Sequence, residues 1–215
     1  MGWYVWKFPF RKVLLPLAKY LKGVNPDLVS YLAVAVALYT GFCLYYSGRN
    51  PGLLIVAIIF TFLRMTLNTL DGVMAIEGGN LKMEGEIVNA LPDRYSDIFV
   101  MLGIIFSGYC QFKIGVIAAL SVLLVSYSGM LGKAVGVSWQ HHGPLGKVER
   151  LIFIMAACFW QYLLALKQAN YLTILNYRFT VIELLMIWFI IGAQITIFNR
   201  TRGALKEIRE KRNVQ

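Results

Sequence analysis

The sequence predicts an all-α protein: an integral membrane bundle of six transmembrane helices, preceded by an N-terminal amphipathic helix at the interface. Three observations carry that prediction. Hydrophobic residues make up 58% of the 215 residues and charged ones only 15%, where a soluble domain carries about a quarter. Apolar runs recur at lengths near the ~20 residues that a bilayer requires. Basic residues gather at the two ends: Lys7, Arg11, Lys12, Lys19 and Lys22 before the first run, and Arg200, Arg202, Lys206, Arg209, Lys211 and Arg212 after the last.

Residues 1–24 interleave lysine and arginine with apolar residues and carry Trp3, Tyr4 and Trp6. Without a small-residue cleavage site, this segment reads as an interfacial helix and not a signal peptide. Asn25 or Pro26 then starts the first span. The spans are expected at 27–47, 52–76, 85–107, 112–133, 149–167 and 178–199, within a domain covering 25–200. Short connections make neighbouring spans antiparallel. Inside segments then hold Lys82, Lys133, Lys147 and Arg150 besides both termini, while outside loops hold only Arg49, Lys113, Lys167 and Arg178. That asymmetry places both termini in the cytoplasm, at the cell membrane. The basic tail, 201–215, reads as a helical extension of the last span. Positive-inside charge and anionic lipid account for its lysines and arginines, so nucleic-acid binding is not expected. Cys43, Cys110 and Cys158 form an odd set without metal-ligand spacing, which argues against a disulfide framework and a zinc site.

One stretch resists this reading. In "NTLDGVMAIEGGNLKMEGEIVNALPDRYSD", residues 68–97, three aspartates lie in or beside apolar spans, where each charge costs a few kcal/mol. Asn68 and Asp71 share one face of the second span, with Gly72 and Ala75 beside it leaving room for a ligand or a backbone. Asn89, Asp93 and Asp97 line one face of the third, and Glu86 joins the same stripe. Two oxygen-bearing faces at the cytoplasmic edge suit a hard divalent cation, which would offset the buried charge. Two other readings stand beside that one: an ion-pair network with Arg64 and Arg94, and a proton or ion pathway such as a small ion-coupled transporter uses.

These residues resemble the signature of the CDP-alcohol phosphotransferases, D-x2-D-G-x2-A-R-x8-G-x3-D-x3-D. Asp71-Gly72, Ala75, Gly85 and Asp93 fall at matching positions. Asn68 and Asn89 replace two aspartates and Ile76 replaces the arginine, as in a branch of the family carrying asparagine at both places. "NPDLVS", "DRYSD" and "GPLGKVERL" look similar too. The resemblance implies a phospholipid-synthesising enzyme that moves a substituted phosphate from a CDP-linked lipid donor to an alcohol acceptor and releases CMP. It implies Mg2+ or Mn2+ held by Asn68, Asp71, Asn89, Asp93 and Asp97, with Asp93 as base. It sets Gly72, Ala75 and Gly85 at the nucleotide, and implies a homodimer. The two asparagines also admit a catalytically weakened member that binds CDP-lipid or metal.

The segment before the fifth span, "GKAVGVSWQHHGPLGKVER", gathers Lys133, His141, His142, Lys147 and Arg150. Lysine and arginine are the usual partners of phosphate. Lys133, Lys147 and Arg150 are therefore candidate acceptor contacts, favouring a phosphorylated alcohol such as glycerol 3-phosphate or inositol phosphate. The adjacent histidines do not have metal spacing.

Overall fold

The computed structural model describes residues 7–21, 23–77, 83–138, 143–174 and 176–214, with the side chains of 7–10, 83–89 and 214 outside that description. Residues 1–6 of the expected interfacial helix, the glycine-rich stretch 78–82, His141 and His142 lie outside the described residues, as do the side chains of Glu86 and Asn89.

The described chain runs α1 (Lys7–Tyr20), α2 (Pro26–Tyr46), α3 (Leu53–Glu77), α4 (Met83–Phe106), α5 (Phe112–Ala134), α6 (Lys147–Leu166), β1 (Leu172–Ile174), β2 (Tyr177–Phe179) and α7 (Val181–Val214). Five of these helices, α2, α3, α5, α6 and α7, are long and apolar enough to cross a membrane. The protein is an all-helical integral membrane bundle. The remaining long helix, α4, carries Asp93, Arg94 and Asp97 and falls outside that apolar set, although it has the length.

Local chemistry sets the helix starts. The Asn25 side chain accepts the Asp27 N–H at 2.9 Å, and Pro26 occupies the first turn, where its missing N–H costs nothing. Between α2 and α3, Asn50 Oδ1 accepts the Gly52 N–H at 3.1 Å and closes the turn. The hairpin of β1 and β2 was not expected. It pairs Leu172 with Phe179 and Ile174 with Tyr177, antiparallel, with Asn176 at φ 67° in the turn.

Helix α4 lies along α2, and α3 also packs on α2. The α2–α4 contact is made by backbone. A Cβ on Gly41 would stand 2.5 Å from the Phe99 carbonyl oxygen, and one on Gly103 would collide with the Gly41 backbone. Small residues let helices approach this closely in a membrane, where packing and not hydrophobic exclusion drives association. The core continues through Val100, Ile104, Val122, Val125, Ile154 and Phe189, joining α4, α5, α6 and α7. A smaller cluster seats Leu14 and Ala18 of α1 on Leu70, Val73 and Met74 of α3.

Beyond the C-terminal ends of α2 and α4, polar groups are tied together. Tyr109 Oη donates to the Ser47 carbonyl at 3.3 Å, Thr180 Oγ1 donates to the Tyr109 carbonyl, and Glu183 accepts the Gln111 N–H at 3.1 Å. At the opposite end α7 runs on without a break through the basic tail. It brackets the α5–α6 connection: Glu207 accepts the Ser138 N–H at 2.9 Å, Lys211 donates to the Gly136 carbonyl at 2.8 Å, and Thr196 Oγ1 accepts the Leu145 N–H at 3.0 Å.

Candidate active site

Helices α3, α4 and α6 bring most of the singled-out residues together. Asp71 sits on α3, 3% exposed, near enough to Asp93 of α4 and Lys147 of α6 to feel both charges. Ser30 of α2 donates to Asp71 Oδ2 at 2.7 Å, while Asp71 Oδ1 is buried without a partner. One turn earlier on α3, Asn68 Nδ2 is likewise buried and unpartnered. Gly72 borders open space: a Cβ there would meet nothing within 4 Å. Ala75 is half-buried one turn further on. Gly85 and Asn89 belong to the helical backbone of α4, and the Asn89 side chain lies outside the described residues.

Asp93 already faces a cation. Lys147 Nζ lies 2.5 Å from Oδ1 and 2.6 Å from Oδ2, and Arg94 stands 3.9 Å off. Lys147 opens α6, whose N-cap is Gly146, so the helix start aims it across the gap to α4.

Asp97 lies one turn deeper and differs from the other two carboxylates. Its Oδ1 accepts from Arg64 at 2.9 Å and its Oδ2 from Arg150 at 2.8 Å, with Arg94 at 3.5 Å. Arg64 and Arg150 are both buried. The ion-pair reading of Arg64 and Arg94 therefore describes Asp97, whereas Asp71 pairs with neither. Arg150, expected as an acceptor contact, spends one guanidinium nitrogen on Asp97. Lys133 is exposed on the last turn of α5.

Among the described residues, no three His, Cys, Asp or Glu side chains form a ready-made metal cage. The donor chemistry still fits a divalent cation at one place. Asp71 offers a buried, unpartnered oxygen, Asp93 offers two oxygens that already hold an ammonium, and Asn68 lies within a turn of Asp71. Hard cations of this class take such oxygens. Asp97, with both oxygens engaged by guanidinium, does not fit that donor set.

The site is also rich in cations. Among the described side chains, Arg64, Arg94, Arg150 and Lys147 gather around Asp93 and Asp97. Arg200 of α7 adds another: its NH1 donates to the Val125 carbonyl at 2.8 Å, and its Nε is buried without a partner. Ser30 and Arg200 were not foreseen as site residues. The signal for Ser30 was its place four residues beyond Pro26 on a capped helix; Arg200 was read only as one of the basic residues after the last apolar run.

With this geometry established, known proteins give a comparison. The chain matches structures of phosphatidylinositol phosphate synthase from Mycobacterium tuberculosis. The form with CDP-DAG bound superposes with a TM-score of 0.71 at 20% identity, over 90% of this chain and 94% of that one. The form with manganese and citrate gives 0.69 at 20%, over 88% of each, and the apo form 0.68 at 21%, over 88% and 95%. The fold is shared with a phospholipid synthase. In sequence, the chain is 27% identical over 199 residues to "Inner membrane protein YnbA" of Escherichia coli strain K12, covering 91% of this chain and 92% of that protein. No family model matches.

Proposed function

We propose that the protein is a CDP-alcohol phosphotransferase of the branch with asparagine at two signature positions. It transfers a substituted phosphate from a CDP-linked lipid to an alcohol that itself carries a phosphate, releasing CMP. The observation that carries this reading is the pairing of Asp71 and Asp93 on adjacent helices. One has a vacant buried oxygen, the other is clamped by Lys147, and both border a cationic cluster. The fold and the sequence signature support it.

In this reading α4 is the sixth span, its charges neutralised inside the bundle, α1 lies at the membrane surface, and the site opens to the cytoplasm along with both termini. The active unit is a homodimer. Asp71, Asn68, Asn89 and Asp93 hold Mg2+ or Mn2+, which supplies charge neutralisation for the donor pyrophosphate. Gly72, Ala75 and Gly85 give the nucleotide access to the backbone. Lys147 releases Asp93 and, with Lys133, Arg150 and Arg200, takes the acceptor's phosphate. Asp93 then accepts the proton of the acceptor hydroxyl. That oxygen bonds to the β-phosphorus, the bond from this phosphorus to the bridging oxygen breaks, and CMP departs with the bridging oxygen. Positioning and charge neutralisation are what phosphoryl transfer chiefly needs. Asp97 organises Arg64 and Arg150 beneath the site.

The experiment is CMP release by the purified protein from CDP-DAG micelles, across a panel of neutral and phosphorylated alcohols, with Mg2+, Mn2+ or excess chelator. Metal-dependent CMP release with a phosphorylated acceptor is expected. Full activity in chelator would remove the metal from the reading. The asparagines favour one alternative, a weakened member; nucleotide binding without CMP release from any acceptor would establish it. Ion flux in liposomes without CMP release would favour a transporter instead.

A further inference from the structure

We propose that Ser30 is a positioning residue for Asp71, holding one carboxylate oxygen so that only the other is presented to the divalent cation. The inference rests on the metal-site reading given under the proposed function and deepens it.

A serine inside a helix ordinarily returns its proton to the carbonyl four residues back. Ser30 has that option, but Pro26 O lies at 3.5 Å, the long limit of a hydrogen bond. Asp71 Oδ2 lies at 2.7 Å, a length typical of a charge-assisted bond. A hydroxyl has one proton to donate, and the distances assign it to Asp71.

The start of α2 fixes this geometry. Asn25 caps the helix through the Asp27 N–H, and Pro26 locks its first turn, which sets the rotation that turns Ser30 toward α3. Both partners are buried, Ser30 at 6% and Asp71 at 3% exposure. In so buried a pair, the hydrogen bond sets the torsion of the carboxylate. The outcome is an asymmetric group: Oδ2 accepts the Ser30 proton, and Oδ1 is buried and unpartnered. An unpartnered carboxylate oxygen in a buried site is costly, and a cation relieves that cost. Without the hydroxyl, the carboxylate turns freely and neither oxygen is fixed toward the metal.

The test is direct Mn2+ binding, with no turnover involved. Free Mn2+ is titrated by electron paramagnetic resonance against the full-length protein in detergent, for wild type, Ser30→Ala and Ser30→Thr. The thermal midpoint of each is recorded so that affinity is referred to folded protein. Loss of a hydrogen bond that orients a metal ligand typically weakens metal binding by 10–100-fold. Ser30→Ala is expected to raise the Mn2+ dissociation constant by at least ~10-fold on that basis, and Ser30→Thr, which keeps the hydroxyl, to recover most of it. A purely structural serine would move the midpoint and leave the affinity of the folded fraction alone. Wild-type affinity in Ser30→Ala overturns the inference while the metal site stands. Absence of Mn2+ binding in wild type itself overturns the metal site, and this inference with it.

Discussion

The two ends of the bundle handle buried polarity in opposite ways. Around the C-terminal ends of α2 and α4, Ser47, Ser107, Tyr109, Thr180, Gln161 and Glu183 each have a hydrogen-bond partner. At the other end and along the inward faces of α3 and α4, Thr61, Arg64, Asn68, Asp71, Ser96 and Arg200 each keep a buried polar atom without one. These six residues hold all such atoms found among the described side chains. In a membrane, an unmet polar group has no solvent to fall back on. The paired end therefore behaves as scaffold, and the unpaired end as a place prepared for something absent from the chain itself. Asp97 is the instructive exception. It lies at the unpaired end, yet its two oxygens are engaged by two buried arginines, where those of Asp93 share the single ammonium of Lys147.

The largest expected effect tests that exception. Asp97→Asn removes the partner shared by Arg64 and Arg150 and leaves two buried guanidinium groups unbalanced. Breaking a buried ion pair from one side costs about 3–5 kcal/mol. A marked drop in thermal midpoint in detergent is expected, with the metal concentration for half-maximal rate unchanged in the protein that remains folded. An unaltered midpoint with weakened metal dependence would return Asp97 to the ligand set.

Next in size is Asp71→Asn. It keeps the shape and replaces a charged oxygen at the unpaired end, so the fold should hold while the rate of CMP release falls by at least ~100-fold, equivalent to roughly 3 kcal/mol of lost charge stabilisation. Unfolding instead of inactivation would erase the distinction between the two ends.

The smallest effect belongs to the scaffold. Gly41→Ala places a methyl 2.5 Å from the Phe99 carbonyl oxygen, and overpacking of this kind costs about 1–3 kcal/mol. The midpoint should fall, and activity per folded molecule should stay near wild type. Thermal melts followed by a rate assay on the folded fraction separate the two quantities.

Much of this was legible in the sequence, and the reason differs by level. The first five expected stretches match helices to within two residues at each end, and the sixth starts at Val181 but runs on to Val214, because apolar length is a local property. The start of α2 was legible because Asn25-Pro26 carries its own capping chemistry. Helical periodicity also placed Asp71, Asp93 and Asp97 on faces that the fold turns toward the interior. It did not tell which cation each one meets. Asp97 pairs across 33 residues with Arg64 and 53 with Arg150, and Ser30 reaches Asp71 across 41. Such pairings follow from tertiary packing, to which a periodic pattern is blind. The hairpin at 172–179 was overlooked for another reason: its alternating residues sit beside an apolar run, and the last span was drawn over its second strand. Asn176, suited to a left-handed turn, was the available sign.

The contact of Gly41 with Phe99 and Gly103 makes α2 and α4 a pair of tongs. Two rods touching backbone to backbone are fixed at that point, and any widening between them must occur away from it. Ser30 lies eleven residues from Gly41, about 16 Å along the helix at 1.5 Å per residue. One arm grips Asp71 through Ser30, and the other carries Asp93. The two carboxylates are thus held on a common frame by a contact that carries no charge.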